Sequence, residues 1–519
     1  MTNLIGHDPQ YRRRWMVPRN IRRISPWKIA QILSLIKQIS GYGRWSGNQI
    51  AQVQFCKALE SAGLKKRGDQ YDSHSGGPRT YLSQLECLGL IFQREGQIYF
   101  TQVGEDILNG EPPLPILQRQ LLRHRYPSAY GNKVQIHPNL RVKPFLFILE
   151  LLSHKRIRHL STQEIAIALV YGHTRQCLNI CVKKILRLRN GSCLNDVIDN
   201  IEEDLYTRRG QKYPDGLMDD ANTVKNYLQA VCLVYVDEEN GKEVVKFDEE
   251  NRAAVKLAVS QADDIQPYEG YESFQRRYGA RSRRGDTRQL AVQDETAADP
   301  ATGIILSQFF ARCGANVVTE IPDDFENMLR RDYGFSSRQI KDAVEPYLGR
   351  SLDYFESTYI ELSRSGRPED AIRFENATEA IFRDRFKFET EPTGQKRRSG
   401  VGGYADIFLV AQDNIHCAIV DAKASPRYKL PHSDYTKMIA TYIPSAPELF
   451  QGRPLELEFA SYVAGGYSGD VAHKLIGIER ETNIPCSAIT ARRLLQMARA
   501  DGADQISCRA ALAKSRIND

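Results

Sequence analysis

The stretch from Gly402 to Ser425, GGYADIFLVAQDNIHCAIVDAKAS, puts three residues capable of chemistry around two apolar runs: Asp406 before the first, Asp421 and Lys423 after the second. Read as two antiparallel strands turning at Asp413-Asn414, a favourable pair for a tight hairpin, partner numbers sum to 827, so that Asp406 faces Asp421. Directly opposed residues project to one face, with Cβ atoms about 4.5–5.5 Å apart, and strand alternation adds Lys423 to that face. Two carboxylates at that separation repel unless a positive charge lies between them. Such a pair can hold a divalent cation through hard oxygen ligands. A cation there polarises a phosphodiester and lowers the pKa of an attacking water. A neighbouring lysine orients that water or stabilises charge on the phosphorane. Asp-x-Lys alone reads as readily as a surface ion pair; the opposed second aspartate turns the reading toward hydrolysis.

The rest of the chain must position and direct this site. Residues 26–40 have apolar residues at helical spacing after Ser25-Pro26, and a second helix covers about 47–63. Pro78 to Leu88 predicts an amphipathic helix ended by Gly89, and LIFQREG and QIYFTQ alternate around a turn near Glu95-Gly96. Three helices followed by a hairpin is the winged-helix order, in which the third helix enters the major groove. The pattern recurs: residues 142–170 give two helices, with Ser161 or Thr162 capping before Glu164, and 219–247 a helix and a hairpin turning at Glu239-Asn240-Gly241. A winged helix also serves as a protein-binding scaffold. Residues 263–302 are polar and without sustained periodicity, which predicts an exposed connection with room for one short helix. The expected domains are therefore 1–140 and 141–262, both winged-helix, a linker at 263–302, and an α/β domain at 303–519.

The bulk properties fit this division. A chain of 519 residues is too long for one core. The ten cysteines, including Cys177 and Cys181, lack zinc-site pairing and read as core thiols of a reducing cytosol. No apolar run is long enough to span a bilayer and the N-terminus lacks a secretory h-region, so a cytoplasmic, bacterial-type protein with no membrane partner is expected. The net charge is +7, and the first 50 residues carry nine Lys/Arg against the single acid Asp8. A basic arm of this kind suits a polyanion such as double-stranded DNA, or is a solvated tail.

The residues GYADIFLV and HCAIVDAKA resemble the PD-(D/E)xK nuclease core, and most closely the cleavage domain of FokI-type IIS restriction endonucleases. Four stretches carry the resemblance in that family's order: YIEL (359–362), FENATEAIF (374–382), AIVDAKASPRYKLP (418–431) and FASYVAGGYSGD (459–470). The N-terminal part, including QLLRHRYPSAY (120–130), is more loosely similar to AlwI-type relatives. The family's Pro-Asp is Ala405-Asp406 here.

The resemblance implies a multidomain α+β protein, a tandem winged-helix DNA-recognition region with a C-terminal α/β nuclease domain. It implies catalytic Asp406, Asp421 and Lys423, with one or two Mg²⁺ held by Asp406, Asp421 and the backbone of Ala422. A glutamate of the preceding helix often completes such a site; Glu375 matches without a gap, and Glu379 competes one turn later. His416, in the apolar strand, reads as a structural histidine. One site cuts one strand at a time, so double-strand cleavage requires a transient homodimer through the nuclease domain, in this family through the equivalent of Ser433–Tyr442, or a second nuclease subunit. A cognate methyltransferase is the expected companion. For base contacts the third helix offers Arg79, Thr80 and Ser83, arginine reading guanine bidentately. Lys65, Lys66 and Arg67 are phosphate candidates, or simply solvated. Two other readings remain open: a nickase or the large subunit of a heterodimeric enzyme, and a winged-helix regulator without catalysis.

Overall fold

In the computed structural model the described residues are 11, 14–15, 17–18, 26–40, 44–61, 64–65, 76–108, 111, 113–127, 137–198, 215–239, 242–248, 251–261, 265, 270–281, 305, 309, 320–348, 359–366, 368–394, 403–500 and 504–518. The chain divides into two compact units, one formed by Met1–Arg312 with Ile321–Tyr347, the other by Cys313–Glu320 with Leu348–Asp519.

The first unit opens with α1 (Pro26–Ser40), α2 (Gln49–Ser61) and α3 (Gly76–Cys87), followed by the antiparallel hairpin β1 (Ile91–Arg94) and β2 (Gln97–Phe100). The hairpin closes on Arg94↔Gln97 around Glu95-Gly96, both at positive φ (52° and 80°), the conformation of a two-residue type I′ turn. Two helices follow, α4 (Gln102–Leu108) and α5 (Pro113–Arg123). The second set runs α6 (Pro144–Ser153), β3 (His159–Leu160), α7 (Thr162–Tyr171), α8 (Leu178–Arg189), α9 (Leu194–Val197), α10 (Asp215–Ala230), β4 (Val234–Glu239) and β5 (Lys242–Phe247). Ser161 caps α7: its hydroxyl accepts from the Glu164 N–H while Glu164 returns a bond to the Ser161 N–H, the capping box expected there. Here β3 adds to β5, giving the sheet order β3-β5-β4, and the wing closes on Glu239↔Lys242; Asn240 and Gly241 lie outside the described residues.

Among the described residues the first hairpin has no third strand, and a helix packs beside it. After α11 (Arg252–Ser260), α12 (Tyr271–Tyr278) returns to the first set. Gln275 donates from Nε2 to the Glu86 and Ile91 carbonyls at 2.8 and 2.9 Å, and the Gln93 N–H donates to the Tyr271 hydroxyl. The same hydroxyl donates to the Glu86 carboxylate. Tyr278 is buried against Gly89, where a Cβ would lie 2.4 Å from its ring. Arg281 grips Asp106 with Nε 2.8 and 3.0 Å from its two oxygens. Residues 271–281, expected within an exposed connection, are thus part of the first unit: their polar side chains satisfy backbone groups that a lone hairpin edge leaves open. The unit also takes in α13 (Asp323–Tyr333) and most of α14 (Ser337–Leu348), so the C-terminal unit is shorter at its start than the expected 303–519. Arg14, counted in the basic arm, is buried and pairs with Asp220 at 3.3 Å, and the indole of Trp15 donates to the Gly172 carbonyl.

The second unit is a three-layer α/β domain. Its six-stranded sheet has the order β11-β10-β9-β8-β7-β6. Strands β6 (Glu389–Pro392), β7 (Ile407–Val410) and β8 (His416–Ala422) pair antiparallel; β9 (Glu456–Ala464), β10 (Cys486–Thr490) and β11 (Ile517–Asn518) add in parallel. Central strands covered on both faces read as continuous apolar runs. Here Leu409, Ala418 and Val420 face a core completed by α15 (Pro368–Asp384), α18 (Ala491–Arg499) and α19 (Gln505–Leu512). Phe408, Val410 and Ile419 face the opposite core, built with α16 (His432–Lys437), the π-helical turn Met438–Tyr442 and α17 (Val471–Thr482). Among the described residues no helix is long and apolar enough to cross a membrane.

Candidate active site

The β7–β8 register is Ile407↔Val420 and Phe408↔Ile419, the pairing expected from the sequence, and continuing it sets Asp406 opposite Asp421. The turn is wider than two residues. Its closing bond runs from the Ala411 N–H to the His416 carbonyl at 2.9 Å, because the Asp413 carboxylate accepts from the Ile415 and His416 N–H groups, both at 2.9 Å. Asn414 takes φ 56° in this loop. The His416 ring meets Asp413 Oδ2 at 2.8 Å, which gives it a structural partner far from the other end of the hairpin.

At that other end the three charges meet. Asp421 is 1 % exposed, and Lys423 Nζ lies 2.7 Å from its Oδ2. Asp406 Oδ2 accepts from the Ala422 N–H at 2.8 Å. The Lys423 N–H is committed to Val463 O in the parallel ladder with β9. Backbone groups alternate between the two sides of a strand, so Ala422 directs its N–H and its carbonyl to the Asp406 side. Burial first, then the charge of Asp421, push the Asp406 carboxyl well above the usual carboxylate range, and Lys423 only partly opposes this. Burial works to lower the Lys423 pKa, but Asp421 and Asp406 outweigh it and hold the ammonium firmly protonated.

Glu375 and Glu379, one turn apart on α15, have different surroundings. Glu375 belongs to the charge cluster: burial raises its pKa, Lys423 draws it down and Asp421 pushes it up. Glu379 faces elsewhere, bound to Arg383 Nη1 at 2.8 and 2.9 Å and accepting from the Thr390 hydroxyl. In the first unit, Arg79 is exposed and Thr80 and Ser83 half-buried on the early turns of α3. The Lys65 ammonium is taken up by Glu60 at 3.1 Å and the Cys56 sulfur at 2.9 Å, while Lys66 and Arg67 lie outside the described residues.

The donor set suits a hard divalent cation. Apart from the lysine ion pair, neither oxygen of the buried Asp421 carboxylate has a directed hydrogen-bond donor. With Lys423 at Oδ2, the other oxygen, Oδ1, is the one left without a partner, and a hard cation would satisfy it; the carboxyl of Asp406 and the carbonyl of Ala422 flank it. No cluster of three or more His, Cys, Asp or Glu side chains fit for a metal occurs among the described residues. A site here would therefore consist of two carboxylates and a backbone oxygen.

Sequence reasoning did not single out the groups behind this site. The Tyr428 hydroxyl donates to Asp434 Oδ2 at 2.6 Å, and the Tyr462 hydroxyl donates to the Asp434 carbonyl at 3.1 Å, tying the exit of β8 to α16. Tyr442 also belongs to the cluster: burial first, then the charge of Asp421, raise its pKa, and Lys423 opposes them.

Residues 334–516 match the sequence model of the FokI cleavage domain. Over that stretch the C-terminal domain is similar to the FokI cleavage domain. The matched stretch takes in Asp406, Asp421, Lys423 and Glu375 together with five strands of the sheet, β6 to β10. No curated protein matches the chain. Among solved structures, it is similar to restriction endonuclease FokI at 13% identity, covering 94% of this chain and 97% of that one with a TM-score of 0.28. FokI bound to DNA gives 13% identity, 99% and 100% coverage and a TM-score of 0.30. The BpuJ1 endonuclease binding domain, in complex with pyrene- and phenanthrene-modified DNA, gives 12% identity over 53% of this chain and 100% of that one, with a TM-score of 0.36.

Proposed function

We propose that the chain is a type IIS restriction endonuclease, which binds a short asymmetric sequence in double-stranded DNA and hydrolyses phosphodiester bonds at a fixed distance outside it. The observation that carries this reading is the opposed pair of half-buried Asp406 and buried Asp421, with Lys423 ion-paired to Asp421, at one end of the central hairpin of a domain similar to the FokI cleavage domain.

In this reading Asp406, Asp421 and the Ala422 carbonyl hold Mg²⁺, whose chemistry when bound is to polarise the scissile phosphate and to lower the pKa of a bound water. Lys423 is ion-paired to Asp421 beside the pocket. Its work is to orient the attacking water and to stabilise charge developing on the phosphate. Glu375, with its raised pKa, supplies the remaining carboxyl of the pocket. Recognition falls to the first unit, with Arg79, Thr80 and Ser83 at the start of α3 reading the major groove.

One carboxylate site per chain cuts one strand. Double-strand cleavage therefore uses a second copy, paired through the stretch Ser433–Tyr442, or a partner subunit. A cognate methyltransferase would protect the host's own copies of the site, and the compartment is the bacterial cytoplasm.

Mapping the ends of phage and plasmid DNA digested by the purified chain in Mg²⁺ tests the reading. Ends at one fixed offset from one asymmetric motif support it. Nicks confined to one strand would replace it with a nickase or a large subunit, and binding without cutting under every divalent metal would leave only a DNA-binding regulator.

A further inference from the structure

The loop leaving β6 embraces the first aspartate. Regular pairing of β6 with β7 ends at Pro392↔Ile407. Beyond it the Thr393 and Gly394 N–H groups both donate to the Asp406 carbonyl, at 2.8 and 3.0 Å. The Thr393 hydroxyl donates to the Ala405 carbonyl at 2.6 Å, and this threonine is wholly buried. These two carbonyls belong to the peptide planes on either side of the Asp406 Cα. Planar peptides leave only φ and ψ to vary between them, so holding both planes fixes the direction of the Asp406 Cα–Cβ bond. The remaining side-chain freedom is taken up at the far end, where Oδ2 accepts from the Ala422 N–H at 2.8 Å.

Two further features tie this loop to the carboxylate. No side chain fits at Gly394: a Cβ there would lie 2.8 Å from Asp406 Oδ1 and 3.1 Å from its Cα. Ala405 supplies no restraint of its own, since alanine leaves φ free where a proline would lock it. The Ala405 N–H has no hydrogen-bond partner among the described residues, so hydrogen bonding holds this residue at its carbonyl alone, through Thr393.

We propose that Thr393 is a positioning residue of the nuclease site: through the Ala405 and Asp406 peptides it sets the direction in which the Asp406 carboxylate meets a divalent cation. The assignment rests on the hydrolytic reading above and extends it to a residue outside the charge cluster. Groups that hold a ligating carboxylate in place are worth about 10- to 100-fold in metal affinity or rate.

The test uses the full chain with Thr393→Val, which keeps the shape and removes the hydroxyl, and Thr393→Ser, which keeps the hydroxyl. Thr482→Val is the control. It too removes a hydroxyl that donates to a backbone carbonyl, that of Ile478 at 2.8 Å, on the last turn of α17. Thermal midpoints are read in EDTA and across a Mg²⁺ titration, alongside single-turnover cleavage of supercoiled plasmid at rising enzyme concentration. Thr393→Val is expected to need about 10-fold more Mg²⁺ than the wild type for half of the Mg²⁺-induced rise in midpoint. It should also cleave about 10-fold or more slowly at every enzyme concentration, and Thr393→Ser should restore both. Thr482→Val should keep the wild-type Mg²⁺ requirement and rate. A Thr393→Val protein with the wild-type Mg²⁺ requirement overturns the proposal, as does one that loses no more than Thr482→Val or is matched in its loss by Thr393→Ser. If Thr393→Val does not fold, Gly394→Ala, which keeps the hydroxyl and crowds the carboxylate, carries the same expectation and the same refuting result. A wild-type midpoint that Mg²⁺ does not move overturns the proposal too. A wild type whose midpoint Mg²⁺ raises but which never cleaves DNA overturns the hydrolytic reading, and the titration alone then decides the positioning of Asp406.

Discussion

Neutralising Asp406 should stabilise the nuclease domain while abolishing its activity. Asp406 is half-buried opposite the buried Asp421, with a single ammonium between two carboxylates. Taking the opposed carboxylates as roughly 5 Å apart and an effective dielectric constant of about 20, their repulsion is about 3 kcal/mol. Lys423 offsets part of this, but burial and Asp421 dominate, since the Asp406 pKa is raised. A net gain of about 2 kcal/mol is therefore expected for Asp406→Asn, whose amide oxygen can still accept from the Ala422 N–H. For a domain of this size that is a rise of about 4–8 °C in Tm.

The pH dependence has a definite sign. A carboxyl whose folded pKa is raised contributes stability that is intact below the usual carboxylate range and lost as pH rises through the folded value. The advantage of Asp406→Asn should accordingly be small near pH 4 and grow toward neutrality. Calorimetry of the full chain in EDTA tracks the transition that Mg²⁺ shifts upward in the wild type, and this shift should shrink in the variant. A variant that melts at or below the wild-type temperature in EDTA at pH 7.5 would refute the account of two uncompensated carboxylates.

Other expectations concern single residues. Glu375→Gln should slow cleavage about tenfold or more, as loss of a catalytic carboxyl does, whereas Glu379→Gln should leave the rate nearly unchanged and cost about 1 kcal/mol or less through its Arg383 pair, read by parallel kinetics and thermal melts. His124, wholly buried, has its pKa lowered to about 4 by desolvation. The folded state thus loses stability as pH falls below about 6.5, by about 2 kcal/mol at pH 5, and urea titrations at pH 7 and pH 5 should show that loss in the wild type and not in His124→Asn. Arg79→Ala should weaken specific DNA binding by about 1–3 kcal/mol and relax selectivity at one base pair, measured by competition against single-substitution sites.

Much of the site was legible because strands buried on both faces leave an unbroken apolar signature. The DIFLV and CAIV runs fixed the register that sets Asp406 against Asp421, and the Glu95-Gly96 and Ser161-Glu164 signals marked a turn and a cap that are both present. The width of the hairpin loop was not legible, since it depends on the Asp413 side chain capturing two backbone N–H groups. Nor was α12: YESFQRRY is mostly polar, and its place is set by long-range bonding of Tyr271 and Gln275 to a hairpin some 180 residues earlier. The choice between Glu375 and Glu379 was only half legible: Arg383 pairs with Glu379 from one turn along α15, but Thr390 claims that acid only once β6 lies beside the helix. The π turn at Tyr442 likewise reflects packing of Met438 and Ile443 and has no local sequence signal.

The most direct test of the central claim is single-turnover cleavage of supercoiled plasmid by the wild-type chain and by Asp421→Ala, each in Mg²⁺ and in EDTA, with DNA binding measured in parallel. The account predicts cleavage by the wild type in Mg²⁺ alone, none by Asp421→Ala, and equal binding by both. Cleavage that survives Asp421→Ala, or that proceeds in EDTA, would contradict it.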